Sequence, residues 1–205
     1  MTHGFDSDYW DQHWQDRAGG PGSMAGAPPH PYLARELAGL VPGTALDAGC
    51  GAGAEALWLA EHGWQVTAAD ISAAALARAA VRAAASAAGD RVRWVEADLG
   101  VWEPDTAFDL VTTHYAHPAG PQLAFYDRLA SWVAPGGTLL VVGHRHTHGH
   151  GDGPPAEASV TAAAVTARLD DAGWRVVTAE EPQRTLPGGH GRRLDDVVVR
   201  ATRRS

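Results

Sequence analysis

The chain has 205 residues and a mass of 21.5 kDa, the size of one ordinary domain, which leaves little room for a second. Hydrophobic residues make up 45% of it and charged residues 20%, so wholly disordered and collagen-like chains are excluded. The 16 basic and 24 acidic residues give a net charge of −8, which repels nucleic-acid phosphate and anionic membranes, so we expect a small-molecule partner.

The basic residues and the cysteine exclude further classes of chemistry. Every basic residue is Arg, so catalysis through a lysine amine is excluded. The single cysteine, Cys50, excludes an intrachain disulfide and fits a reducing compartment. The N-terminal residues have neither a positive start nor an apolar signal-peptide core, and no apolar run approaches the ~20 residues that span a bilayer. We therefore expect a soluble, cytoplasmic protein.

Residues 1–30 are polar, aromatic and rich in Gly and Pro, which predicts a flexible N-terminal arm or lid ahead of a domain at 31–205. Tyr9, Trp10 and Trp14 would share one face of a helix in this arm. Aromatic faces attract cations, so a lid of this kind could cover a positively charged ligand. Packing into the core is the alternative interpretation.

After the arm, short β-branched runs alternate with longer Ala-rich stretches, the pattern of a parallel sheet covered by helices. In chain order the sequence predicts helix 31–40, strand 44–49, helix 54–63, strand 64–70, helix 72–89, strand 91–98, strand 108–115, helix 121–133, strand 138–144, helix 159–173, strand 174–180 and strand 195–203. The last two strands have no helix between them, so we expect them to pair antiparallel. The fold class is α/β.

The motif LDAGCGAG marks the turn from the first strand of the sheet into the next helix. It contains Asp47, Gly49, Gly51 and Gly53. Glycine allows a sharp turn and close approach of bare backbone to a ligand, and the helix N-terminus offers free N–H groups. With Ala54, the motif also satisfies the dinucleotide fingerprint, so the motif alone does not separate NAD from other adenosine ligands.

Two further aspartates end the next two predicted strands. Asp70 can accept hydrogen bonds from both hydroxyls of a ribose. Asp98 can accept one from an adenine amino group, with Ile71 and Leu99 packing on the two faces of the base. A single Asp at a strand end is also a common helix cap, so the prediction rests on three acids at three successive strand ends.

The segments LDAGCGAG, VTAADIS, WVEADL, FDLVTTHY and APGGTLLVV, in this order, resemble the class I S-adenosylmethionine-dependent methyltransferases over roughly residues 31–203. The resemblance implies a Rossmann-like, doubly wound, seven-stranded sheet, mostly parallel with an antiparallel last strand and with helices on both faces. It implies that Asp47 and the motif glycines contact the methionine moiety. It assigns the ribose diol to Asp70, and the adenine to Asp98 with Leu99. The run ALDAGCGAGAEALWLAEHGWQVTAAD also resembles the small bacterial branch of tellurite-resistance and thiopurine methyltransferases.

The segment THYAHP follows the fourth strand, at the edge where open α/β sheets bind ligands. We expect Thr113 on the cofactor side of this edge. His114 and His117 are expected to titrate near neutral pH and to serve with Tyr115 as catalytic residues, as general base or substrate clamp. Hydrogen bonding within the loop is the alternative.

The fifth strand leads into a run with histidine at every second position: His144, His146, His148 and His150. On a continued strand these four imidazoles would share one face and could bind Zn, Ni or Cu. The interspersed glycines favour a flexible substrate-recognition loop instead.

The sequence therefore predicts an S-adenosylmethionine-dependent methyltransferase that transfers a methyl group to O, N, S or C of a small molecule by in-line displacement. Three alternatives stay open: a metal-dependent methyltransferase using the histidine loop 144–150, a non-catalytic protein that binds metal or cofactor, and an NAD-dependent oxidoreductase. In an NAD-dependent oxidoreductase, the nucleotide-binding half would leave too few residues for a separate substrate domain. An exposed sheet edge or the arm could support a homodimer.

Overall fold

A computed structural model describes residues 5–16, 26–145, 160–185 and 193–205 of the chain. The helices are α1 (Ser7–Asp16), α2 (Pro31–Leu37), α3 (Ala54–Glu61), α4 (Ala73–Ala84), α5 (Gln122–Ser131) and α6 (Ala162–Thr166), with a 3-10 turn at Gly89–Arg91. The strands are β1 (Thr44–Ala48), β2 (Gln65–Asp70), β3 (Val92–Glu96), β4 (Phe108–His114), β5 (Val133–His144), β6 (Trp174–Glu180), β7 (Gln183–Thr185) and β8 (Arg193–Arg203). In these ranges no helix is long and apolar enough to cross a bilayer.

The strands form one mixed sheet in the order β3-β2-β1-β4-β5-β8-β6, with β7 also paired to β8. The pairs from β3 to β5 are parallel, and β8 runs antiparallel to β5, β6 and β7. β6 and β7 pair with successive parts of β8, and between them the Asp196 amide donates to the Pro182 carbonyl at 2.9 Å. They therefore act as one interrupted edge strand, and the predicted α/β fold with an antiparallel end is confirmed.

The central strands are buried on both faces. Successive side chains of a strand point to opposite faces, so Leu46 and Val111 pack on the α5 side while Ala45 and Leu110 pack on the side of α2 and α3. All four are fully buried. This double coverage keeps water from the strands whose carboxyl ends carry the predicted site.

Several predicted boundaries differ from the structure: α4 ends at Ala84 instead of 89, β8 begins at Arg193 instead of 195, and two further differences have identifiable reasons. The helix expected over 159–173 is reduced to α6, because the Asp170 side chain accepts from the Gly173 amide at 2.6 Å and closes a turn that competes with the helix. β5 begins at Val133 rather than 138, since Val133 pairs with Phe108 before the register shifts. Gly136 lies at φ 79° in the interruption between the two paired parts.

The described part of the predicted arm contains α1, which lies against α4 and the glycine motif. Asp6 caps this helix, accepting from the Tyr9 amide at 3.0 Å. Trp14 is buried against Ala52 and neighbouring residues of α4. The Asp11 carboxylate accepts from the Ser72 hydroxyl and from the Ala74 amide. These contacts place α1 over the carboxyl edge of the sheet.

We predict that Asp11→Ala loosens α1 while leaving the sheet intact. Hydrogen bonds to a charged group contribute roughly 1.5–3 kcal/mol, so their loss should speed amide exchange in α1 by about tenfold or more. Hydrogen-exchange mass spectrometry of peptides covering residues 5–16 measures this, with Gln12→Ala, an exposed position on the same helix, as the control. Equal exchange in the two variants would contradict docking of α1 through Asp11.

Candidate active site

The turn after β1 has a backbone that only glycine adopts easily. Gly49, Gly51 and Gly53 have φ of 76°, 52° and 77°, in the left-handed region. A Cβ on Gly49 would lie 2.4 Å from the Ala116 Cβ, and one on Gly53 would lie 2.4 Å from the Trp94 ring. The three glycines therefore let the chain turn where side chains from other elements leave no room. We call residues 49–53 the glycine turn.

Carboxylates crowd beneath the glycine turn. Asp47, 1% exposed in the centre of the sheet, accepts a hydrogen bond from the Ala56 amide. Its Oδ2 is buried and has no hydrogen-bond partner among the described residues. Burial, with repulsion from Glu55 and Asp70, raises the pKa of Asp47 well above its usual value. This site is thus prepared for a positively charged group, which would relieve the buried negative charge.

The other two carboxylates are bonded to backbone amides. Asp70 accepts from the Gly51 amide at 2.8 Å and from the Ser72 amide at 2.9 Å, so the acid at the end of β2 fixes the glycine turn. Glu55, in the first turn of α3, accepts from the His30 amide at 2.9 Å. Burial raises the pKa of both acids despite these bonds.

Of the residues predicted to bind adenine, Ile71 follows β2, and Asp98 and Leu99 follow β3. Asp98 is exposed, and its Oδ1 accepts from the Gly100 amide at 2.8 Å, a local turn of the kind that aspartates commonly make. Leu99 is buried and Ile71 half-buried. The Ala97 amide donates to the Asp70 carbonyl at 2.9 Å, which ties this segment to the end of β2. Asp70 and Asp98 therefore share one edge of the sheet.

At the end of β4, Thr113 is buried and His114 is half-buried. The Thr113 hydroxyl donates to the Ala48 carbonyl at 2.8 Å, so a role for that hydroxyl in cofactor binding would require this bond to break. Burial lowers the pKa of His114 to about 3. The expectation that His114 titrates near neutral pH is therefore wrong, because burial disfavours the charged imidazolium.

Tyr115 has φ 57°, a strained backbone for a residue with a bulky side chain. Its hydroxyl lies 3.1 Å from His30 Nε2 and accepts from Arg184 at 3.2 Å, while Arg184 pairs with the fully buried Asp196. Burial raises the pKa of Tyr115 and lowers that of His30 to about 3. The hydroxyl thus belongs to a buried network, whereas the Tyr115 ring stacks on His144 with centroids 4.1 Å apart.

Sequence reasoning missed most of this network because its members lie far apart along the chain. His30 precedes α2, while Arg184 and Asp196 lie on β7 and β8. It also missed Gln122, a buried polar residue at the start of α5. The signal for Gln122 was a polar residue directly after the THYAHP loop, at the beginning of a helix.

Gln122 fixes the tautomer of His117. Its Nε2 donates to the Ala116 carbonyl at 2.9 Å, which turns its Oε1 toward His117 Nδ1 at 3.4 Å. An amide oxygen only accepts, so Nδ1 of a neutral His117 carries the proton and Nε2 is the basic nitrogen. Of the three residues predicted to be catalytic, His117 is the one whose ring lies beside α1, close to Phe5 and Trp10.

The predicted metal site falls mostly outside the described residues. His144 stacks on Tyr115 and lies 5.9 Å from the His117 ring centroid, but His146, His148 and His150 belong to the part that the structure does not describe. Within the described ranges, no group of three or more metal-ligating side chains occurs. A histidine metal site stays a prediction.

The sequence is similar to known methyltransferase sequences. Residues 45–137 match the family model described as the methyltransferase domain. A stretch of 99 residues is 41% identical to an uncharacterised methyltransferase of Mycobacterium tuberculosis, covering 47% of this chain and 48% of the relative. The chain thus spans about half the length of that relative.

Solved structures share the whole fold. Magnesium protoporphyrin IX methyltransferase of Synechocystis, solved with bound S-adenosylhomocysteine, superposes with a TM-score of 0.72 at 20% identity, covering 97% of each chain. TehB of Haemophilus influenzae gives 0.69 at 14% identity, covering 97% of this chain and 67% of its own, and fits the narrower bacterial resemblance. Residues 45–137 thus resemble a methyltransferase domain, and the sheet order agrees with the predicted resemblance to the class I S-adenosylmethionine-dependent methyltransferases.

We predict that Asp47→Asn stabilises the ligand-free protein above neutral pH. Because burial raises the folded-state pKa of Asp47, its contribution to stability is present at low pH and is lost as pH rises through that pKa. The variant should therefore melt higher than the wild type near pH 8, by roughly 2–4 °C per kcal/mol gained, with a smaller difference near pH 5. Differential scanning calorimetry measures the melting temperatures of the two proteins at both pH values.

The matched control is Asp105→Asn, which changes an exposed carboxylate in the loop before β4. Its melting temperature should stay at the wild-type value at both pH values. A lower melting temperature for Asp47→Asn than for this control near pH 8 would contradict the account of a buried, destabilising charge.

Proposed function

We propose that the chain is an S-adenosylmethionine-dependent methyltransferase acting on a small-molecule acceptor. The observation that carries the proposal is the buried Asp47 Oδ2, which lacks a partner among the described residues and lies beneath the glycine turn. The methionine end of the cofactor carries an ammonium group and a sulfonium. The buried carboxyl groups beneath the glycine turn fit these positive charges.

The proposed binding roles follow from the positions of the side chains. Asp47 and the glycine turn would hold the methionine moiety. Asp70 would accept from the ribose hydroxyls, using the lone pairs that remain beside its bonds to Gly51 and Ser72. Asp98, with Ile71 and Leu99, would bind the adenine. The raised pKa of Asp47 should fall when a cation enters, so binding would release protons where this acid is protonated.

The chain's part in the reaction would be mainly to position and to enclose. When bound, S-adenosylmethionine supplies a methyl carbon on a positively charged sulfur, which a lone pair on the acceptor attacks in line as the carbon–sulfur bond breaks. α1 covers the glycine turn through Trp14, and residues 115–117 approach it through Ala116, so both exclude water from this edge.

His117 is the proposed general base for acceptors that must lose a proton. Its Nε2 is the basic nitrogen of the tautomer that Gln122 imposes. His114 is a weak base, because its pKa of about 3 leaves it neutral and with little affinity for a proton at neutral pH. An acceptor that carries an unprotonated lone pair would need no base.

The setting of this activity is proposed on the same grounds. The Synechocystis neighbour is named for magnesium protoporphyrin IX, a small molecule, which supports a small-molecule acceptor here. The free, buried Cys50 and the net charge support a cytoplasmic protein that acts on neither nucleic acid nor membrane. A homodimer stays a proposal.

The experiment is calorimetric titration with S-adenosylhomocysteine, the product form of the cofactor. We expect saturable binding to the wild type and to Asp105→Asn. The affinity of Asp47→Asn should be lower by about tenfold or more, since hydrogen bonds between charged groups contribute roughly 1.5–3 kcal/mol. NAD should neither bind nor raise the melting temperature. Binding of NAD in place of S-adenosylhomocysteine, or equal affinities in the three proteins, would contradict the proposal.

A further inference from the structure

Three aromatic rings from two different segments meet beside the glycine turn. Phe5 and Trp10 come from the N-terminal helical segment, and His117 from the loop after β4. The centroids of Trp10 and His117 are 6.4 Å apart with planes within 19° of parallel. Phe5 lies 5.8 Å from Trp10 and 5.7 Å from His117. All three rings are half-buried, and we call them the ring cluster.

Both segments that contribute rings to the ring cluster pack on the glycine turn. On α1, Trp14 packs so closely on Gly51 that a Cβ there would lie 2.8 Å from the indole. In the loop, Ala116, directly before His117, packs still more closely on Gly49, where a Cβ would lie 2.4 Å from the Ala116 Cβ. The cluster therefore borders the place where the proposed cofactor would present its methyl group, and the basic Nε2 of His117 belongs to it.

The charges around this edge do not favour an anion. The guanidinium of Arg184 pairs with Asp196, and that of Arg145, just after β5, pairs with Glu181 at 2.9 Å. The carboxylates of Asp47 and Asp70 lie beneath the turn. Both guanidiniums are thus already paired with carboxylates, so this edge favours an uncharged or cationic acceptor over a carboxylate or phosphate.

We propose that the methyl acceptor is a planar aromatic molecule, uncharged or positively charged, that packs against Trp10 and His117 of the ring cluster. The inference rests on the proposed function and adds the class of acceptor to it. Flat rings supply large contact areas at low conformational cost, and stacking on another aromatic group adds to the affinity. A phenolic or heteroaromatic N–H group held there would meet the basic nitrogen of His117.

The test compares three bicyclic probes in the presence of saturating S-adenosylhomocysteine: 2-naphthol, its saturated analogue decahydro-2-naphthol, and the anion 2-naphthoate. Saturation-transfer NMR with competition gives their relative affinities. We expect 2-naphthol to bind about fivefold or more tightly than either of the others. Trp10→Ala should weaken 2-naphthol binding by about fivefold, whereas Trp10→Phe, which keeps a ring, should bind nearly as the wild type does.

Trp58→Ala is the matched control, because Trp58 lies on α3 and stacks on His62 instead of the ring cluster. It should bind 2-naphthol as the wild type does. Absent binding of 2-naphthol, no preference over the saturated or anionic probe, or equal binding by Trp10→Ala and the control would overturn the proposal. S-adenosylhomocysteine binding is measured first in the wild type and in every variant. If the wild type does not bind S-adenosylhomocysteine, the proposed function itself fails.

Discussion

The candidate site is built around a carboxyl group, that of Asp47, buried at the centre of the sheet. Asp47 is placed there by β1, between β2 and β4, where burial removes it from water. An ionised carboxylate in such a position is unfavourable unless hydrogen bonds or an opposite charge compensate it. The chain provides one amide, that of Ala56, and surrounds Asp47 with further acids instead of a cation. Such an arrangement lowers stability in the free protein and increases the affinity for a cationic ligand.

The glycine turn lies above Asp47, and several elements pack around it. The turn must be bare because Ala116, Trp14 and Trp94 approach it from three different segments. The same contacts bring α1 and the loop after β4 to one edge of the sheet, so cofactor and acceptor would meet between them. The buried network around Tyr115 supports that loop from the β8 side through Arg184 and Asp196.

The features that sequence reasoning predicted are local. Glycines at every second position and an aspartate two residues before them define the turn, and parallel strands bring Asp70 and Asp98 to the same edge because their carboxyl ends meet there. The antiparallel end of the sheet followed from two strands without a helix between them. Each of these features depends on residues close together in the chain or on a general rule of topology.

What the sequence did not reveal depends on contacts between distant residues. The low pKa of His114 arises from burial that its neighbours in sequence do not disclose. The tautomer of His117 depends on the amide orientation of Gln122, and the docking of α1 depends on Asp11 reaching Ser72 across 61 positions. The shortened α6 shows the same limit, since Asp170 competes with a helical pattern that looked continuous.

The most direct measurement is a crystal structure of the protein with S-adenosylhomocysteine. We expect the ligand's ammonium group within about 2.7–3.2 Å of Asp47 Oδ2 and its ribose hydroxyls on the Asp70 carboxylate. A ligand bound at another place, or one that leaves Asp47 Oδ2 without a partner, would contradict the central claim.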